Sequence, residues 1–434
     1  MHLRTLAALA VVSCLVPCSV LCANADDESS SYEVALTEIP SGSRATYGDY
    51  SAATSTLTAA SSSYNSTTQN ATSSTRPTSS QSLTSETQTT IVGTASSGSA
   101  SSDPTNSAKC NGYTEFCGRK YSNITYVVAH NSPFHIPNNG ASNQDLDVIT
   151  QLDDGVRGIQ SETHYVNDTV VLCHTSCQEL NAGTLEEYLI KVKAWLDTHR
   201  YEVITIILGN EDFIDPGNYT APVTNSGILD YVYTPPTQPM DIDGWPTLAE
   251  MIISNKRVVM FLAYDANQNK IPWLLDMWSY QWQTPFSPTN VSFPCSVQRP
   301  PGQERETSQN RLYLANHNLN IQFDDTALGI DILVPNLVEI QNTNANTTSV
   351  GAAKTMVDQC TSEWGRPPNF LLVDYFNYGN FNGSTLAAAA EANNVTYDVD
   401  SCCGTQIKSS ASTTSGASWI CMLIGAGALL LLVQ

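Results

Sequence analysis

The chain has 434 residues, enough for one large domain with extensions, and its formal net charge at pH 7 is −22. Such an excess of acidic residues excludes nucleic acid as a plausible partner and disfavours electrostatic docking on anionic lipid. The composition is that of a soluble domain exported from the cell. Nothing in the composition sets the oligomeric state.

Both ends of the chain carry the features of processing signals. Residues 1–25 combine a basic start, an apolar core and a small-residue cleavage site at Ala23-Asn24-Ala25, and they are predicted to be a secretory signal peptide. Residues 406–434 combine a polar spacer with an uncharged apolar tail, Trp419–Val433. This pattern is typical of a GPI-attachment signal, which would anchor the protein to the plasma membrane or cell wall. The alternative is a C-terminal transmembrane helix, for which the tail is short.

Between the signal peptide and the folded domain lies a stretch of low complexity. Residues 26–108 are rich in Ser, Thr, Ala and Gln and poor in apolar residues, so we predict a disordered, O-glycosylated stalk. The folded domain is predicted over residues 109–405. With the stalk before the domain and the anchor after it, we expect the domain close to the membrane and the stalk projecting away.

Eight of the twelve cysteines remain after the signal peptide and the tail are removed. An even number in a secreted chain predicts disulfides, and Cys110–Cys117 and Cys173–Cys177 are plausible local pairs. The remaining four are expected to form two bridges, in which Cys402 and Cys403 reach back separately to Cys295 and Cys360. Acceptor motifs for N-glycosylation also indicate a surface protein, and they stand at Asn65, Asn70, Asn123, Asn167, Asn218, Asn290, Asn346, Asn382 and Asn394.

Apolar segments of strand length alternate with helical patterns along the domain. The predicted strands are Ile124–His130, Val156–His164, Thr169–His174, Val203–Gly209, Arg257–Tyr264, Leu312–Asn316 and Asn369–Tyr375. The predicted helices are Asn143–Leu152, Leu185–His199 with a capping box of Thr184 and Glu187, Thr247–Asn255, Val350–Glu363 and Thr385–Asn393. The Pro-rich segment 271–302 is predicted to be a long loop. This order favours an α/β fold, a TIM-like (β/α) barrel that is irregular or lacks an element.

Polar side chains with catalytic potential follow the ends of these strands. They are His130, Asn131, Gln160, Glu162, His174, Asn210, Glu211 and Asp374. The carboxyl ends of barrel strands meet at one rim, where we expect these groups to converge. Two imidazoles supply a base and an acid near neutral pH, and amide and carboxylate oxygens are ligands for calcium or magnesium. A phosphodiester is the substrate that needs both functions.

The same residues carry a resemblance to a known family. The sets Ala129-His130-Asn131-Ser132, Gly155-Val156-Arg157 with Gln160 and Glu162, and Leu172-Cys173-His174 resemble the X domain of phosphatidylinositol-specific phospholipases C. More closely, they resemble the secreted fungal PLC-like phosphodiesterases. The similarity spans roughly Tyr121 to Asp374. It implies a barrel fold and a phosphoinositide or related glycerophosphodiester as substrate.

The resemblance also implies roles for individual residues. His130 is expected to activate the inositol 2-hydroxyl or to contact phosphate, and His174 to protonate the leaving diacylglycerol oxygen. Asp374 resembles the carboxylate that orients the first histidine.

A calcium site is implied as well, by the calcium-dependent members of that family. Those members have an Asn after the first histidine and two acidic residues on the second strand. Asn131 and Glu162 match, but Gln160 replaces one carboxylate. Calcium-independent bacterial members have an Arg where this chain has Glu162. Calcium held by Asn131, Glu162 and Glu211 is therefore the expected cofactor, with Asn210 as the alternative to Glu211.

Three other interpretations remain open on the sequence. A barrel that has lost activity and serves as a cell-wall or adhesion protein would explain Gln160. A cell-wall glycoside hydrolase would use Glu162 with Glu211 or Asp374 as its carboxylate pair. A zinc site of His130, Glu162, His164 and His174 lacks the usual ligand spacing.

Overall fold

The computed structural model describes residues 108–325 and 330–398. The predicted signal peptide, the predicted attachment signal and all of the predicted stalk except Ala108 lie outside the described residues, as do Cys402 and Cys403. Within the described ranges, no helix is both long and apolar enough to cross a membrane.

Twelve strands occur in the described residues, most of them short. They are β1 Tyr126–Ala129, β2 Gly158–Val166, β3 Thr169–His174, β4 Leu180–Thr184, β5 Ile204–Asn210, β6 Val258–Ala263, β7 Leu274–Asp276, β8 Gln281–Gln283, β9 Leu312–Asn316, β10 Asn320–Asp325, β11 Ile330–Pro335 and β12 Phe370–Val373.

Nine α-helices of the described residues accompany these strands. They are α1 Val148–Asp153, α2 Leu185–Thr198, α3 Thr220–Asn225, α4 Leu248–Ile253, α5 Met277–Tyr280, α6 Arg305–Gln309, α7 Ile340–Thr343, α8 Ala353–Trp364 and α9 Ser384–Ala392. Short 3₁₀ turns lie at Tyr121–Asn123, Pro216–Tyr219, Ile228–Tyr231 and Ile242–Gly244.

Eight of the strands are parallel neighbours in one curled sheet, in the order β7, β6, β5, β2, β1, β12, β9, β8. The outer strands β7 and β8 are linked along the chain by the four-residue helix α5, which forms the seam of the barrel. The central strands β5 and β6 are buried along their whole length, as expected of a parallel sheet covered on both faces. The predicted TIM-like α/β barrel is confirmed in an irregular form.

The helical layer packs on the sheet through two apolar clusters. One cluster places α2 against β2, β5 and β6 through residues such as Leu189 and Ile206. The other joins β1, β9 and β12 to α8 through Tyr313 and Trp364. The clusters fix the strands whose carboxyl ends form the rim.

The third predicted strand has the predicted bounds, but it is not a barrel strand. β3 pairs antiparallel with β2, and β4 pairs antiparallel with β3, so the three form an extension beyond the barrel. The turn between β2 and β3 consists of Asn167 and Asp168, with φ of 50° and 59°. Left-handed backbone at both central residues defines the tight turn that favours a two-residue hairpin. His174 therefore reaches the rim from this extension.

Other boundaries and connections also differ from the prediction. The segment 271–302 is not a continuous loop, because β7, α5 and β8 lie within it. The helix predicted to begin at Asn143 begins at Val148, because the Asp147 side chain caps it by accepting the N–H of Thr150. The β10–β11 hairpin and β4 were not predicted at all.

Three disulfides link the described cysteines. Cys110–Cys117 and Cys173–Cys177 confirm the two local pairs. Cys295 bonds to Cys360, with Cα atoms 5.3 Å apart, so the prediction that each of them pairs with Cys402 or Cys403 is wrong. The reason is that Cys360, on α8, packs against the loop of Cys295 within one apolar cluster.

Candidate active site

The rim carries an imidazole–carboxylate pair formed by the residues that directly follow two neighbouring strands. β1 and β12 run parallel with Ala129 opposite Val373, so His130 and Asp374 emerge side by side. His130 Nδ1 lies 2.7 Å from Asp374 Oδ1, and the two side chains are 12% and 1% exposed. An ionised carboxylate accepts the Nδ1–H, which leaves Nε2 as the nitrogen able to take a proton.

His174, at the end of β3, is held in a similar manner by a backbone carbonyl. Its Nδ1 donates to the Ala141 carbonyl oxygen, and its ring stacks on Phe134 with centroids 5.2 Å apart. The same nitrogen is thus occupied in both histidines, and Nε2 of each remains available. Ala141 lies two residues before Asn143, whose Nδ2 donates at 2.9 Å to Asp374 Oδ1, the oxygen that accepts from His130. One short loop, at most about 7 Å long between these two residues, anchors both rings.

Asn143 is a site residue that the sequence analysis missed, because it had been placed in a helix. Its Nδ2 donates to Asp374 Oδ1 at 2.9 Å, and its Oδ1 accepts from Asn131 Nδ2 at 3.2 Å. Asn318, which follows β9, brings its Nδ2 to 3.4 Å from His130 Nδ1 and was also missed. Neither residue lies in a sequence motif that marks it as a site residue, because only the fold brings it to the rim.

The predicted residues on β2 connect the two histidine turns. Gln160 Oε1 accepts the backbone N–H of Asn131 at 2.8 Å, and Asn131 Oδ1 accepts the N–H of Glu162 at 3.3 Å. Glu162 Oε2 accepts the N–H of Thr175, the residue after His174, at 3.2 Å. Gln160 and Glu162 therefore hold in place the turns that carry the imidazoles.

The two candidate residues at the end of β5, Asn210 and Glu211, lie in different surroundings. Asn210 is fully buried, and its side chain bonds to the backbone of Ile214 through both Oδ1 and Nδ2. Glu211 folds back over β5, where Gly209 leaves space for it. A Cβ at Gly209 would stand 2.8 Å from Glu211 Oε1 and 3.6 Å from Glu162 Cα. Glu211 thus lies beside β2, whereas Asn210 shapes the following loop.

Two of the residues expected to bind calcium already have hydrogen-bond partners in the protein. Asn131 and Asn210 are fully buried, and each side-chain oxygen already accepts a backbone N–H. Within the described ranges, no three His, Cys, Asp or Glu side chains are grouped to hold one ion, so the zinc set of His130, Glu162, His164 and His174 is not brought together. Calcium held by Asn131, Glu162 and Glu211 stays a prediction of the resemblance.

A parallel barrel with two anchored imidazoles at its carboxyl rim has the architecture of a barrel enzyme. The chain belongs to the PI-PLC X family, whose family model (PI-PLC X 1) matches residues 116–388. The resemblance found in the sequence is thereby confirmed. The domain is of the PI-PLC-like phosphodiesterase type.

Relatives and solved structures are similar to this chain over most of the described domain. An uncharacterized secreted protein of Arthroderma benhamiae is 53% identical over 301 residues, which covers 69% of this chain and 67% of the relative. The PI-PLC X domain-containing protein 1 of the same organism is 39% identical over 274 residues, covering 62% and 86%. The phosphatidylinositol-specific phospholipase C of Listeria monocytogenes is 13% identical with a TM-score of 0.42, covering 63% of this chain and 94% of that structure. A mutant of the Staphylococcus aureus enzyme is 15% identical with a TM-score of 0.44, covering 64% and 95%.

Proposed function

We propose that this protein is a secreted phosphodiesterase that cleaves a phosphoinositide or a related glycerophosphodiester. The observation that carries the proposal is the Asp374–His130 pair at the rim, with His174 anchored by the same loop. The family assignment and the secreted relative support this reading. The family assignment also favours a phosphodiester over a glycoside, and the bond of Asp374 to His130 argues against the carboxylate pair of Glu162 and Asp374.

In the proposed reaction, two protons move in concert with the exchange of one P–O bond. His130 Nε2 takes the proton of the attacking hydroxyl, the inositol 2-hydroxyl in the substrate that the resemblance implies, as the new P–O bond forms. Asp374 stabilises the resulting imidazolium. His174, protonated at the start, gives its Nε2 proton to the leaving glycerol oxygen as the old P–O bond breaks. The positive charge of the imidazolium groups lies beside the phosphate where negative charge develops.

We also infer that the chain is exported and joined to the cell surface through a GPI anchor. The support lies in the sequence at its two ends, outside the described residues. Release of the protein from intact cells by an added GPI-cleaving phospholipase is the expected result. Retention of the apolar tail in the mature protein, seen by mass spectrometry, would contradict the anchor without affecting the proposed reaction.

Turnover of phosphatidylinositol by the full chain tests the reaction. We expect His130→Ala and His174→Ala each to lower kcat by roughly 10²- to 10⁴-fold, the usual contribution of a general acid or base. His199→Ala is the matched control, because that side chain is 41% exposed and lies at the end of α2. Turnover measured with a chelator, and again after calcium is added back, tests the calcium that the resemblance implies.

Two results would contradict this proposal, and a third decides whether calcium takes part. A folded wild-type chain that turns over no inositol phosphodiester would support the inactive barrel instead. Release of reducing sugar that persists in His130→Ala would support the glycoside hydrolase. Loss of turnover with chelator, restored by added calcium, would leave the proposed substrate unchanged and support the metal-assisted variant.

A further inference from the structure

Three unusual backbone features meet at His174, the residue that β3 brings to the rim. A disulfide joins Cys173, the residue before it, to Cys177, three residues after it. The residue that follows His174, Thr175, has a φ of 61°. The pairing of β3 with β4 also shifts register just before His174. The reaction proposed above uses the His174 ring but gives no role to the backbone around it.

The register shift redirects the end of β3. Val171 and Cys173 are two residues apart on β3, whereas their partners on β4, Thr184 and Asn181, are three residues apart. The extra stretch of β4 contains Gly183, whose φ is 95°. Irregular pairing of this kind bends a strand and re-aims the side chains beside it. β3 therefore ends in a direction that regular pairing would not give it.

Thr175 has a backbone conformation that its side chain disfavours. A positive φ is rare for a β-branched residue and costs free energy, so it persists only where neighbouring contacts impose it. The N–H of Thr175 donates to Glu162 Oε2 at 3.2 Å. The N–H of Ser176 donates to the His174 carbonyl oxygen at 2.6 Å. Thr175 is exposed, so water competes for these groups, whereas water cannot replace the disulfide that closes the turn.

The disulfide constrains the main chain on the side away from the His174 ring. Successive residues of a strand lie on alternate faces, so the side chains of Cys173 and His174 lie on opposite faces of β3. Cys173 is fully buried. The ring is held on its own face by the Ala141 carbonyl oxygen and by Phe134. The backbone and the ring of this residue are thus fixed from opposite faces of the strand.

A general acid needs such positioning because it acts on a single atom. In the proposed reaction, His174 Nε2 gives its proton to the leaving glycerol oxygen as the P–O bond breaks. An alkoxide is a poor leaving group, so the proton transfer has to accompany bond cleavage. A small displacement of a catalytic group removes much of its effect. A leaving group that is stable as an anion, such as nitrophenolate, needs no proton from His174.

We propose that the Cys173–Cys177 disulfide is a positioning element for the catalytic acid, and that cleavage of esters with poor leaving groups depends on it. This inference rests on the proposed function, because it assigns the disulfide to the His174 step of that reaction. The bond acts through the turn and not by contact with the substrate. Its loss therefore discriminates between leaving groups, whereas a general loss of folded protein would not.

Turnover of two water-soluble inositol phosphodiesters tests the inference, one with a glycerol and the other with a 4-nitrophenyl leaving group. The full chain is used, recovered from the medium of expressing cells. We expect the double variant Cys173→Ser, Cys177→Ser to lower kcat about tenfold for the glycerol ester and less than about twofold for the nitrophenyl ester. His174→Ala should show the same selectivity to a larger extent.

The matched control is the double variant Cys110→Ser, Cys117→Ser, which removes a second local disulfide. That bond lies away from the rim, because the neighbouring Asn111 is hydrogen-bonded to the backbone of Val203, just before β5 begins. We expect the control variant to keep the kcat of wild type on both esters. Equal loss on both esters in the first double variant would show that its disulfide only supports the fold and would overturn the inference. Wild-type kcat on both esters would overturn it as well.

A spectroscopic measurement separates this inference from the proposed function. The bond to the Ala141 carbonyl oxygen fixes the Nδ1–H tautomer of the neutral His174 ring, which ¹H–¹⁵N spectra of the imidazole report. We expect this tautomer to be fixed in wild type and in the control variant, but not in the variant that lacks the Cys173–Cys177 bond. If that variant loses the fixed tautomer while wild type cleaves neither ester, the positioning stands and the proposed reaction fails. If that variant keeps the fixed tautomer, the inference is overturned whether or not wild type is active.

Discussion

At the scale of single residues, the orientation of His130 depends on how Asp374 is held. Asp374 Oδ1 accepts from both His130 Nδ1 and Asn143 Nδ2, while Oδ2 is buried without a hydrogen-bond partner in the described part of the chain. A carboxylate fixed in this manner sets the tautomer and the direction of the imidazole. Asn143 acts through Asp374, so it is a positioning residue.

Substitutions of Asn143 separate positioning from general stability. We expect Asn143→Ala to lower kcat about tenfold with little change in KM, since Asp374 loses one of its two donors. Asn143→Asp should lower kcat further, because a second carboxylate beside Asp374 stabilises the imidazolium form of His130. A higher pH is then needed before His130 can act as a base. The pH profile of kcat is the measurement that distinguishes these effects. Equal loss in both variants, with an unchanged pH profile, would show that Asn143 only supports the fold.

Because the His317 ring is buried, we predict a pH dependence of stability that is unrelated to catalysis. Burial lowers the pKa of His317 to about 4, although the hydrogen bond to the Thr343 carbonyl oxygen acts in the opposite direction. The neutral ring is favoured in the folded protein, so stability is full above pH 6.5 and is lost as the pH falls toward about 4. The loss amounts to about 3 kcal/mol, at about 1.4 kcal/mol per pH unit.

Urea unfolding between these pH values measures the effect. The His317→Gln variant is expected to be less stable than wild type at neutral pH, because a buried hydrogen bond is altered. Its free energy of unfolding should nevertheless fall less steeply with decreasing pH. Parallel pH curves for the variant and wild type would show that His317 does not titrate in this way.

At the scale of elements, the close pairing of β1 and β2 sets the position of the site. A Cβ at Gly158 would stand 2.5 Å from Val128 Cγ2, within the side chain that packs across the two strands. β1 leads directly to His130, and β2 carries Gln160 and Glu162. The absence of a side chain at position 158 therefore lets both strands bring these residues to one rim.

Gly158→Ala is expected to destabilise the protein by about 1–3 kcal/mol, the usual cost of overpacking a core. Gly118→Ala is the control, because nothing lies within 4 Å of a Cβ at that position. Denaturant unfolding at neutral pH checks both variants. A Gly158→Ala protein as stable as wild type would mean that the two strands separate without cost.

At the scale of the whole molecule, the two ends of the described chain meet at the end of the barrel opposite the rim. Lys109 and Asp398 line one cavity of about 480 Å³, together with Tyr126 at the start of β1. Lys109 and Asp398 therefore lie at the same end of the domain.

The long-range disulfide is expected to contribute more to stability than the local one at the site. Cys295–Cys360 closes a loop with a sequence separation of 65, against 4 for Cys173–Cys177. Chain entropy then gives about 4 kcal/mol for the first and about 2 kcal/mol for the second. Double Cys→Ser variants of each pair, compared by urea unfolding, measure the difference. Equal losses would show that strain or residual structure, rather than loop length, sets these contributions.

The sequence determined the features that local interactions control. The capping box of Thr184 and Glu187 defines the start of α2, and the structure shows both of its hydrogen bonds. Apolar runs such as those of β5 and β6 identify buried strands because every position must avoid water. The short spacing of Cys110 and Cys117 was likewise enough to predict their pairing.

Only the tertiary structure decided which distant groups meet. It turned β3 back against β2, divided the segment 271–302 between two barrel strands and a helix, and paired Cys295 with Cys360. It also brought Asn143 to Asp374, across 231 positions of sequence. Such contacts depend on packing and register summed over the whole barrel, and no short pattern of residues encodes them.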